Sequence, residues 1–222
     1  MDKYIVLGIG AYVANVDEIL SAHYGTNGSN MSYELLGFID NDSTKKGKDF
    51  YGFKVLGNLD FFMKYDEELN VISFINPQGR SELIEPILGK HNLNFPNVVH
   101  PSAIVSKKAV VGHGNIFAQN TVVAPYAIIG NFNLLNYQVS IGHNCQIGNY
   151  ITMNGGVHLA GSSIVEDKVF IGPGAVIIDN IRVGKRSRIG ANAVVRNDVP
   201  PDVTAVGVPA KIKHKGDTVS ME

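Results

Sequence analysis

Residues 141–165 read IGHNCQIGNYITMNGGVHLAGSSIV, and an apolar side chain returns at every sixth position of this stretch. The same register continues without a break from Val105 to Val195. An α-helix repeats its apolar stripe about every 3.6 residues and a strand every second residue, so a period of six predicts a β-helical coil. The sixteen apolar positions are Val105, Val111, Phe117, Val123, Ile129, Leu135, Ile141, Ile147, Met153, Leu159, Val165, Ile171, Ile177, Val183, Ile189 and Val195.

Two positions beside each apolar residue support the coil. The residue two places before it is small or β-branched in most hexads, as a narrow interior requires. The residue directly after it is often glycine, as in Gly142, Gly148 and Gly190. We expect these glycines to supply the backbone freedom of a tight corner. Together the positions form a hexapeptide-repeat signature.

The first hundred residues alternate strand and helix patterns. Apolar runs predict strands at 4–7, 34–40 and 71–75, and helical patterns follow near 12–22, 59–64 and 81–88. This alternation predicts a small Rossmann-like α/β domain with a parallel sheet. We place it at residues 1–99, with the β-helical domain and a C-terminal cap at residues 100–222.

A glycine-rich turn follows the first predicted strand. Gly8 and Gly10 lie between strand and helix, and Ala11 and Tyr12 lead into the helix. Backbone N–H groups in such a turn, together with a helix N-terminus, suit a phosphate. A dinucleotide fingerprint would have a third glycine where this chain has Val13. A tight turn without any ligand therefore remains open.

Polar residues end the next two predicted strands. Asp40 and Asn41 follow the second strand, and Asn76 follows the third. The carboxyl ends of parallel strands meet at one edge of a sheet, where α/β proteins present polar groups to a ribose or base. With the glycine turn, these residues predict a site for a mononucleotide portion of a ligand.

Charge and cysteine content narrow the classes of function. The net charge is −1, which does not favour a nucleic-acid binder. Residues 1–100 carry 8 Lys/Arg and 13 Asp/Glu, and the remainder carries 11 and 7, so the second half better suits a phosphate-bearing ligand. A single cysteine, Cys145, excludes an intrachain disulfide, and the start lacks a long apolar segment. We expect a soluble cytoplasmic protein without membrane association. Several basic residues gather toward the C-terminal end of the repeat region and just after it, among them Arg182, Lys185, Arg186, Arg188, Arg196, Lys211 and Lys213.

The order of these parts resembles one enzyme family over nearly the whole chain. It is similar to the bacterial sugar O- and N-acyltransferases, which include bacillosamine-type and perosamine-type nucleotide-sugar acetyltransferases and sialic acid acetyltransferases. The resemblance implies a left-handed parallel β-helix with three hexads in each coil of about 18 residues. It also implies an N-terminal domain that binds the nucleotide of the sugar, a homotrimer, and acetyl-CoA in the groove between neighbouring β-helices. The matching segments are the Gly8 turn, residues 37–42, Asn76, residues 100–103, the hexads and residues 207–211.

The resemblance places the family's catalytic histidine on His143, within residues 142–148. Imidazole titrates near neutrality and can remove a proton from an attacking amine or hydroxyl. Gly161 lies three hexads later, which is one full coil, so we expect it to stack on His143 and its N–H to stabilise an oxyanion. Asn144 replaces the acid that usually follows the family's histidine, and its amide can orient the ring without supplying charge. The coenzyme-binding residues expected from the resemblance are Thr152, Gly161, Gly190 and Lys211.

The other histidines weigh against a metal enzyme. A γ-class carbonic anhydrase shares the β-helix but needs three converging histidine ligands. His113 is five hexads away from His143, which is not a whole number of three-hexad coils, and His158 has a different hexad phase. We therefore expect no metal, a surface position for His113, and a packing role for Cys145.

These observations predict an acetyl-CoA-dependent N-acetyltransferase for surface polysaccharide. Its acceptor would be a nucleotide-linked amino sugar, in particular a 4-amino-deoxysugar, with His143 as general base. An O-acetyltransferase of the sialic acid type keeps the same chemistry with another acceptor. A β-helical scaffold or binding module without catalysis is the third hypothesis.

Overall fold

The computed structural model describes residues 1–9, 15–25, 33–75, 77–90 and 92–213. The chain forms two compact units. The first contains residues 1–101 together with 113–117, and the second contains residues 102–112 together with 118–222. The first unit thus includes one short segment from the hexad region, beyond the domain boundary expected at residue 99.

The first unit contains a six-stranded sheet with strand order β3-β4-β2-β1-β5-β6. Neighbouring strands are parallel except for β3, which pairs antiparallel with β4. A further short strand, β7, pairs in parallel with β10 in the same unit. The elements are β1 (Asp2–Leu7), α1 (Val16–Gly25), β2 (Tyr33–Ile39), β3 (Asp49–Phe50), β4 (Phe53–Gly57), α2 (Phe61–Lys64), β5 (Leu69–Ser73), α3 (Pro77–Ile84), β6 (Leu93–Asn94), β7 (Val98–Val99) and β10 (Ile116–Phe117).

The central strand β1 explains why this sheet forms. Its residues from Tyr4 to Leu7 are each at most 2% exposed, as expected for a parallel strand covered on both faces. The helix predicted at 81–88 begins earlier, at Pro77, because proline is well suited to the first helical turn. The strand β4 was not assigned from the sequence. None of the described helices is long and apolar enough to cross a membrane.

The second unit is a left-handed parallel β-helix, so the predicted fold class is confirmed. Its short strands pair with the equivalent strand of the next coil, as Ser140 does with His158. Three faces result. Face A contains β13 (Leu134–Leu135), β16 (Thr152–Met153), β19 (Phe170–Ile171), β22 (Arg188–Ile189), β24 (Thr204–Val206) and β25 (Lys211–Lys213). Face B contains β8 (Ile104–Val105), β11 (Val122–Val123), β14 (Ser140–Ile141), β17 (His158–Leu159), β20 (Val176–Ile177) and β23 (Val194–Val195). Face C contains β9 (Val110–Val111), β12 (Ile128–Ile129), β15 (Gln146–Ile147), β18 (Ile164–Val165) and β21 (Arg182–Val183).

The corners correct one expectation. Gly142, Gly148 and Gly190 do not have positive φ, so they do not supply the left-handed conformation. That conformation occurs two positions after the glycine, at residues such as Asn144 and Tyr150, both with φ 58°. The glycines are required for another reason: a Cβ on Gly142 would lie 2.8 Å from the Gly161 nitrogen of the next coil. Close approach of successive coils, rather than backbone freedom, selects glycine at this position.

Candidate active site

His143 lies at the corner between β14 of face B and β15 of face C, and its side chain is exposed. Gly161 occupies the same corner one coil later and is buried. A Cβ on Gly161 would lie 2.7 Å from both Cε1 and Nε2 of the His143 ring. The imidazole therefore packs directly over the backbone of Gly161, and any larger residue there would displace the ring.

Asn144 contacts the other ring nitrogen. Its side-chain Nδ2 lies 3.2 Å from Nδ1 of His143. In this orientation the amide donates to Nδ1, which leaves the proton of a neutral imidazole on Nε2. Rotation of the amide by a half-turn would place Oδ1 opposite Nδ1, keep the proton there, and leave Nε2 as an acceptor. The orientation of Asn144 thus determines which ring nitrogen can act as a base.

The corner of His143 leaves a backbone donor unused. The Gly161 N–H donates to no atom of the described residues. On the neighbouring corner, between faces C and A, the equivalent groups are bonded: the Asn131 N–H donates to Oδ1 of Asn149 at 2.8 Å. The Asn149 N–H in turn donates to Oδ1 of Asp167 at 2.7 Å. The Gly161 N–H is therefore not committed to a partner in the described part of the chain.

A groove of about 370 Å³ lies along face C and is bordered by Gly148 and Asp167 at the corner between faces C and A; neither His143 nor Gly161 lines it. Its floor is apolar and includes Ile128 and Ile164. Lys185 also lines the groove. Glu166, which also lines it, forms an ion pair with Arg182 at 2.7 Å. That hydrogen-bonded pairing holds the pKa of Glu166 below its usual range.

Cys145 follows this corner inside the coil and is 0% exposed. Its Sγ lies 3.1 Å from the carbonyl oxygen of Ala160. Burial raises the pKa of the Cys145 thiol, which disfavours the thiolate. The burial and contacts of Cys145 are those of a packed core side chain and not of a nucleophile.

The residues expected to bind the coenzyme lie in different places. Thr152 is buried on face A, not on the corner shared by His143 and Gly161. Gly190 follows β22 on the same face, and a Cβ there would lie 2.7 Å from Cγ1 of Val206. Lys211 is exposed and pairs with Val206 across β24 and β25. The structure therefore brings Gly190 and Lys211 together around Val206 and leaves Thr152 two coils away.

The predicted nucleotide residues are partly described. Gly8, Asp40 and Asn41 line one hollow of about 240 Å³ at the carboxyl edge of the first unit's sheet. Gly8 has φ 76° there, and its N–H donates to the carbonyl of Ile39 at 2.7 Å. Gly10, Ala11, Tyr12 and Asn76 lie outside the described residues.

Two polar groups were missed by the sequence reasoning. Lys45 binds Oδ2 of Asp40 at 2.9 Å, a contact that a lysine shortly after a strand-end aspartate could have suggested. Asn136 is 5% exposed, and its Nδ2 has no hydrogen-bond partner among the described residues. Asn154, one coil later, uses its Nδ2 to bond the carbonyl of Ile171 at 2.8 Å. The hexad pattern marks both asparagines alike, so the sequence could not separate them.

Two other histidines named from the sequence, His113 and His158, are described. His113 is exposed and belongs to the first unit. His158 lies on face B, where its Nδ1 contacts the hydroxyl of Ser140. Within the described residues, no group of three or more His, Cys, Asp or Glu side chains could hold a metal ion.

Comparison with known proteins finds a matching repeat family and similar solved structures. The family described as bacterial transferase hexapeptide (six repeats) matches residues 162–197. PerB from Caulobacter crescentus, solved in complex with CoA and GDP-perosamine, is 26% identical with a TM-score of 0.83, over 96% of this chain and 98% of that one. The acetyltransferase domain of PglB from Neisseria gonorrhoeae FA1090, solved with acetyl coenzyme A, is 26% identical with a TM-score of 0.79, over 95% and 98%.

A curated relative matches a shorter region. Serine acetyltransferase from Escherichia coli K12 is 50% identical over 54 residues, which are 24% of this chain and 20% of the relative. The chain therefore spans about a fifth of the length of such relatives. The repeat family and the two solved structures confirm the family resemblance found in the sequence.

Proposed function

We propose that this chain, placed by its repeats and structural neighbours among the hexapeptide-repeat sugar acyltransferases, is an acetyl-CoA-dependent N-acetyltransferase for a nucleotide-linked amino sugar. The observation that carries the proposal is the corner at which the His143 ring packs on Gly161, whose N–H donates to no described residue. A base and a hydrogen-bond donor side by side are what acyl transfer requires.

The chemistry follows from these two groups. Nε2 of His143 takes a proton from the acceptor amine as the amine nitrogen attacks the thioester carbonyl carbon. The carbonyl oxygen becomes an oxyanion and accepts a hydrogen bond from the Gly161 N–H. The C–S bond then breaks, and the proton on His143 passes to the leaving CoA sulfur. Asn144 assists when its Oδ1 accepts from Nδ1–H of His143, which keeps Nε2 unprotonated at the start.

The coenzyme fits the groove along face C. Its apolar floor suits an extended acyl-carrying arm, and Lys185 offers a cation to a phosphate. PerB and the PglB domain were solved with CoA and acetyl coenzyme A, which supports acetyl-CoA as co-substrate. Thr152, Gly161, Gly190 and Lys211 stay proposed coenzyme contacts. Because Thr152 lies on face A and Gly161 at the corner between faces B and C, a second copy of the chain would be needed for all four to meet one coenzyme.

The acceptor half of the proposal rests on the first unit. The hollow beside Gly8, Asp40 and Asn41 has the position expected for a nucleotide at the carboxyl edge of a parallel sheet. Gly10, Ala11, Tyr12 and Asn76 complete the proposed set of contacts. PerB was solved with GDP-perosamine, which supports an amino sugar carried on a nucleotide. We further propose a cytoplasmic homotrimer that acts in surface polysaccharide synthesis, as the family resemblance implies.

An acceptor panel tests the function. The full chain is incubated with acetyl-CoA and UDP-, GDP- or dTDP-linked 4-amino sugars, and CoA thiol release is followed together with the mass of the product. We expect one nucleotide sugar to gain a single acetyl group on its amine. Release of CoA with none of these acceptors would contradict the proposal.

O-Acetylation is the second candidate, favoured by the match to serine acetyltransferase. Sialic acid and serine belong in the same panel, and a product whose acetyl group is lost in mild base would identify an ester. A scaffold without catalysis predicts no thiol release with any acceptor.

A further inference from the structure

Asp40 ends β2, and its carboxylate is largely occupied by the protein itself. Oδ1 accepts the Asp42 N–H at 2.9 Å. Oδ2 accepts both the Ile9 N–H at 3.1 Å and the Lys45 ammonium at 2.9 Å. A carboxylate oxygen has two lone pairs, so Oδ2 is saturated and the side chain is 12% exposed. Asp40 thus ties the glycine turn to the loop after β2.

The loop after β2 brings Lys45 back to the glycine turn. Ser43–Lys45 forms a 3₁₀ turn capped by Asp42, whose Oδ1 accepts the Thr44 N–H at 3.0 Å and its hydroxyl at 2.6 Å. These bonds from Thr44 hold the pKa of Asp42 below its usual range. The Lys45 ammonium and the Ile9 N–H donate to one oxygen of Asp40, so the two donors are neighbours across that oxygen.

The ammonium of Lys45 has hydrogen-bonding capacity left for a ligand. It carries three donors, and Asp40 takes one. Oδ2 of Asp42 is 4.0 Å away, beyond hydrogen-bond distance. The Lys45 side chain is 30% exposed. A cation with unused donors therefore stands beside Ile9, although Lys45 belongs to another segment of the sequence.

Asp40 also borders two hollows. One is the hollow at Gly8 and Ile9, and the other, of about 400 Å³, is lined by Gly57, Asn58 and Phe61 among others. An aromatic ring and polar groups in the second hollow suit a nucleobase, and the first hollow lies where the glycine turn begins, at Gly8 and Ile9. Lys45 lines neither hollow but is bonded to Asp40, which lines both; Lys46 and Lys64 also line the second hollow.

We propose that Lys45 is the side chain that binds a phosphate of the nucleotide-linked acceptor, and that Asp40 is a positioning residue that holds both Lys45 and the Ile9 N–H. The inference rests on the proposed function and assigns the charged contact within it. The ordinary alternative is that the ion pair of Lys45 and Asp40 merely orders a surface loop.

Ligands that differ in phosphate content distinguish the two. Binding of UDP, GDP and dTDP and of the corresponding nucleosides to the full chain is measured by calorimetry at fixed salt. Lys45→Met should weaken binding of the preferred diphosphate about 10-fold to 100-fold, the usual effect of one charged hydrogen bond. Its nucleoside affinity should change less than about twofold, because no phosphate is present, and Lys45→Arg should keep most of the diphosphate affinity. Lys54→Met, which removes an exposed lysine from β4, is the matched control and should bind as the unaltered chain does.

The outcomes separate this inference from the function on which it rests. Unchanged diphosphate binding in Lys45→Met, or equal weakening of diphosphate and nucleoside, would refute the role of Lys45 while leaving acetyl transfer untouched. A chain that binds none of the three diphosphates would overturn both the inference and the nucleotide-sugar acceptor. Melting temperatures of all variants show whether a loss of binding reflects a loss of folding.

Discussion

Two corners of the same β-helix share the same backbone hydrogen bonds between coils but differ in the hydrogen bonds that their side chains make. At the corner between faces C and A, Asn149 and Asp167 accept the N–H groups of the coil before them. At the corner between faces B and C, Gly161 has no side chain with which to do so, and its own N–H donates to no described residue. One corner is thus closed by a ladder of side chains, which stabilises the coil. The other is left open, with an imidazole over the opening.

The difference between the two corners lies in their side chains and not in the backbone of the coil. The backbone bonds that join successive coils are alike at both corners: the Ser162 N–H meets the carbonyl of His143 at 2.8 Å, and the Lys168 N–H meets that of Asn149 at 2.9 Å. The fold therefore does not depend on the side chain at positions 143 and 161. Where no side chain of the following coil accepts it, as at Gly161, a backbone N–H stays unpaired among the described residues at small cost to the coil, and a rigid coil keeps it in place.

Replacement of the imidazole should produce the largest effect. We expect His143→Ala to lower kcat for acetyl transfer by about 10²-fold to 10⁴-fold, the usual contribution of a general base. Thiol release at saturating acetyl-CoA measures it. His113→Ala removes another exposed histidine and should leave kcat unchanged. A His143→Ala variant with most of its turnover would remove the histidine from the mechanism.

Closing the open corner should come next. Gly161→Asn adds the ladder side chain, but its Cβ would lie 2.7 Å from the His143 ring, which must move. A displacement of this size should lower kcat about 10-fold to 100-fold. Stability should hold or rise, because the new amide can accept the His143 N–H as Asn149 accepts that of Asn131. Full activity in this variant would show that the ring need not rest on residue 161.

The converse change removes a ladder side chain from the corner between faces C and A. Asn149→Ala removes the acceptor of the Asn131 N–H and should lower the free energy of unfolding by about 1–2 kcal/mol. Urea unfolding measures the loss, and kcat per folded molecule should stay within about twofold because no reacting group is touched. A large loss of kcat without a loss of stability would mean that this corner, too, belongs to the site.

The smallest effect is expected at the residue beside the imidazole. Asn144→Asp presents an oxygen to Nδ1 of His143 in either orientation and adds a charge that favours the imidazolium form. At an exposed position this should raise kcat about twofold to fivefold and move the acidic limb of the pH–rate profile to higher pH. Asn144→Leu, unable to hydrogen-bond, should lower kcat. Equal rates in all three proteins would leave Asn144 without a role.

The sequence predicted the β-helix and the neighbourhood of His143 because a periodic fold repeats one local environment. With the coil of three hexads that the family resemblance implies, counting along the chain from His143 predicted that Gly161 stacks on it. The reason for the glycines after the core positions was wrong, since contact between coils is not visible along one coil.

In the first unit, the sequence predicted the ends of the strands but not the hydrogen bonds made there. Strand ends could be located from apolar runs, and Asp40 was expected to face a ribose. Its bonds to Ile9 and Lys45 depend on a 3₁₀ turn and on a parallel neighbour far away in sequence, neither of which has a periodic signal. Which hydrogen bonds a polar side chain makes is decided by tertiary structure.

A double-mutant cycle between positions 143 and 161 tests most directly whether the open corner is one catalytic unit. kcat for acetyl transfer is measured for the unaltered chain, His143→Ala, Gly161→Asn and the double variant. If the imidazole acts only where it rests on Gly161, the double variant should be no slower than His143→Ala alone, because the displaced ring is already absent. A double variant slower by the product of the two single effects would contradict the account, since the two residues would then act independently.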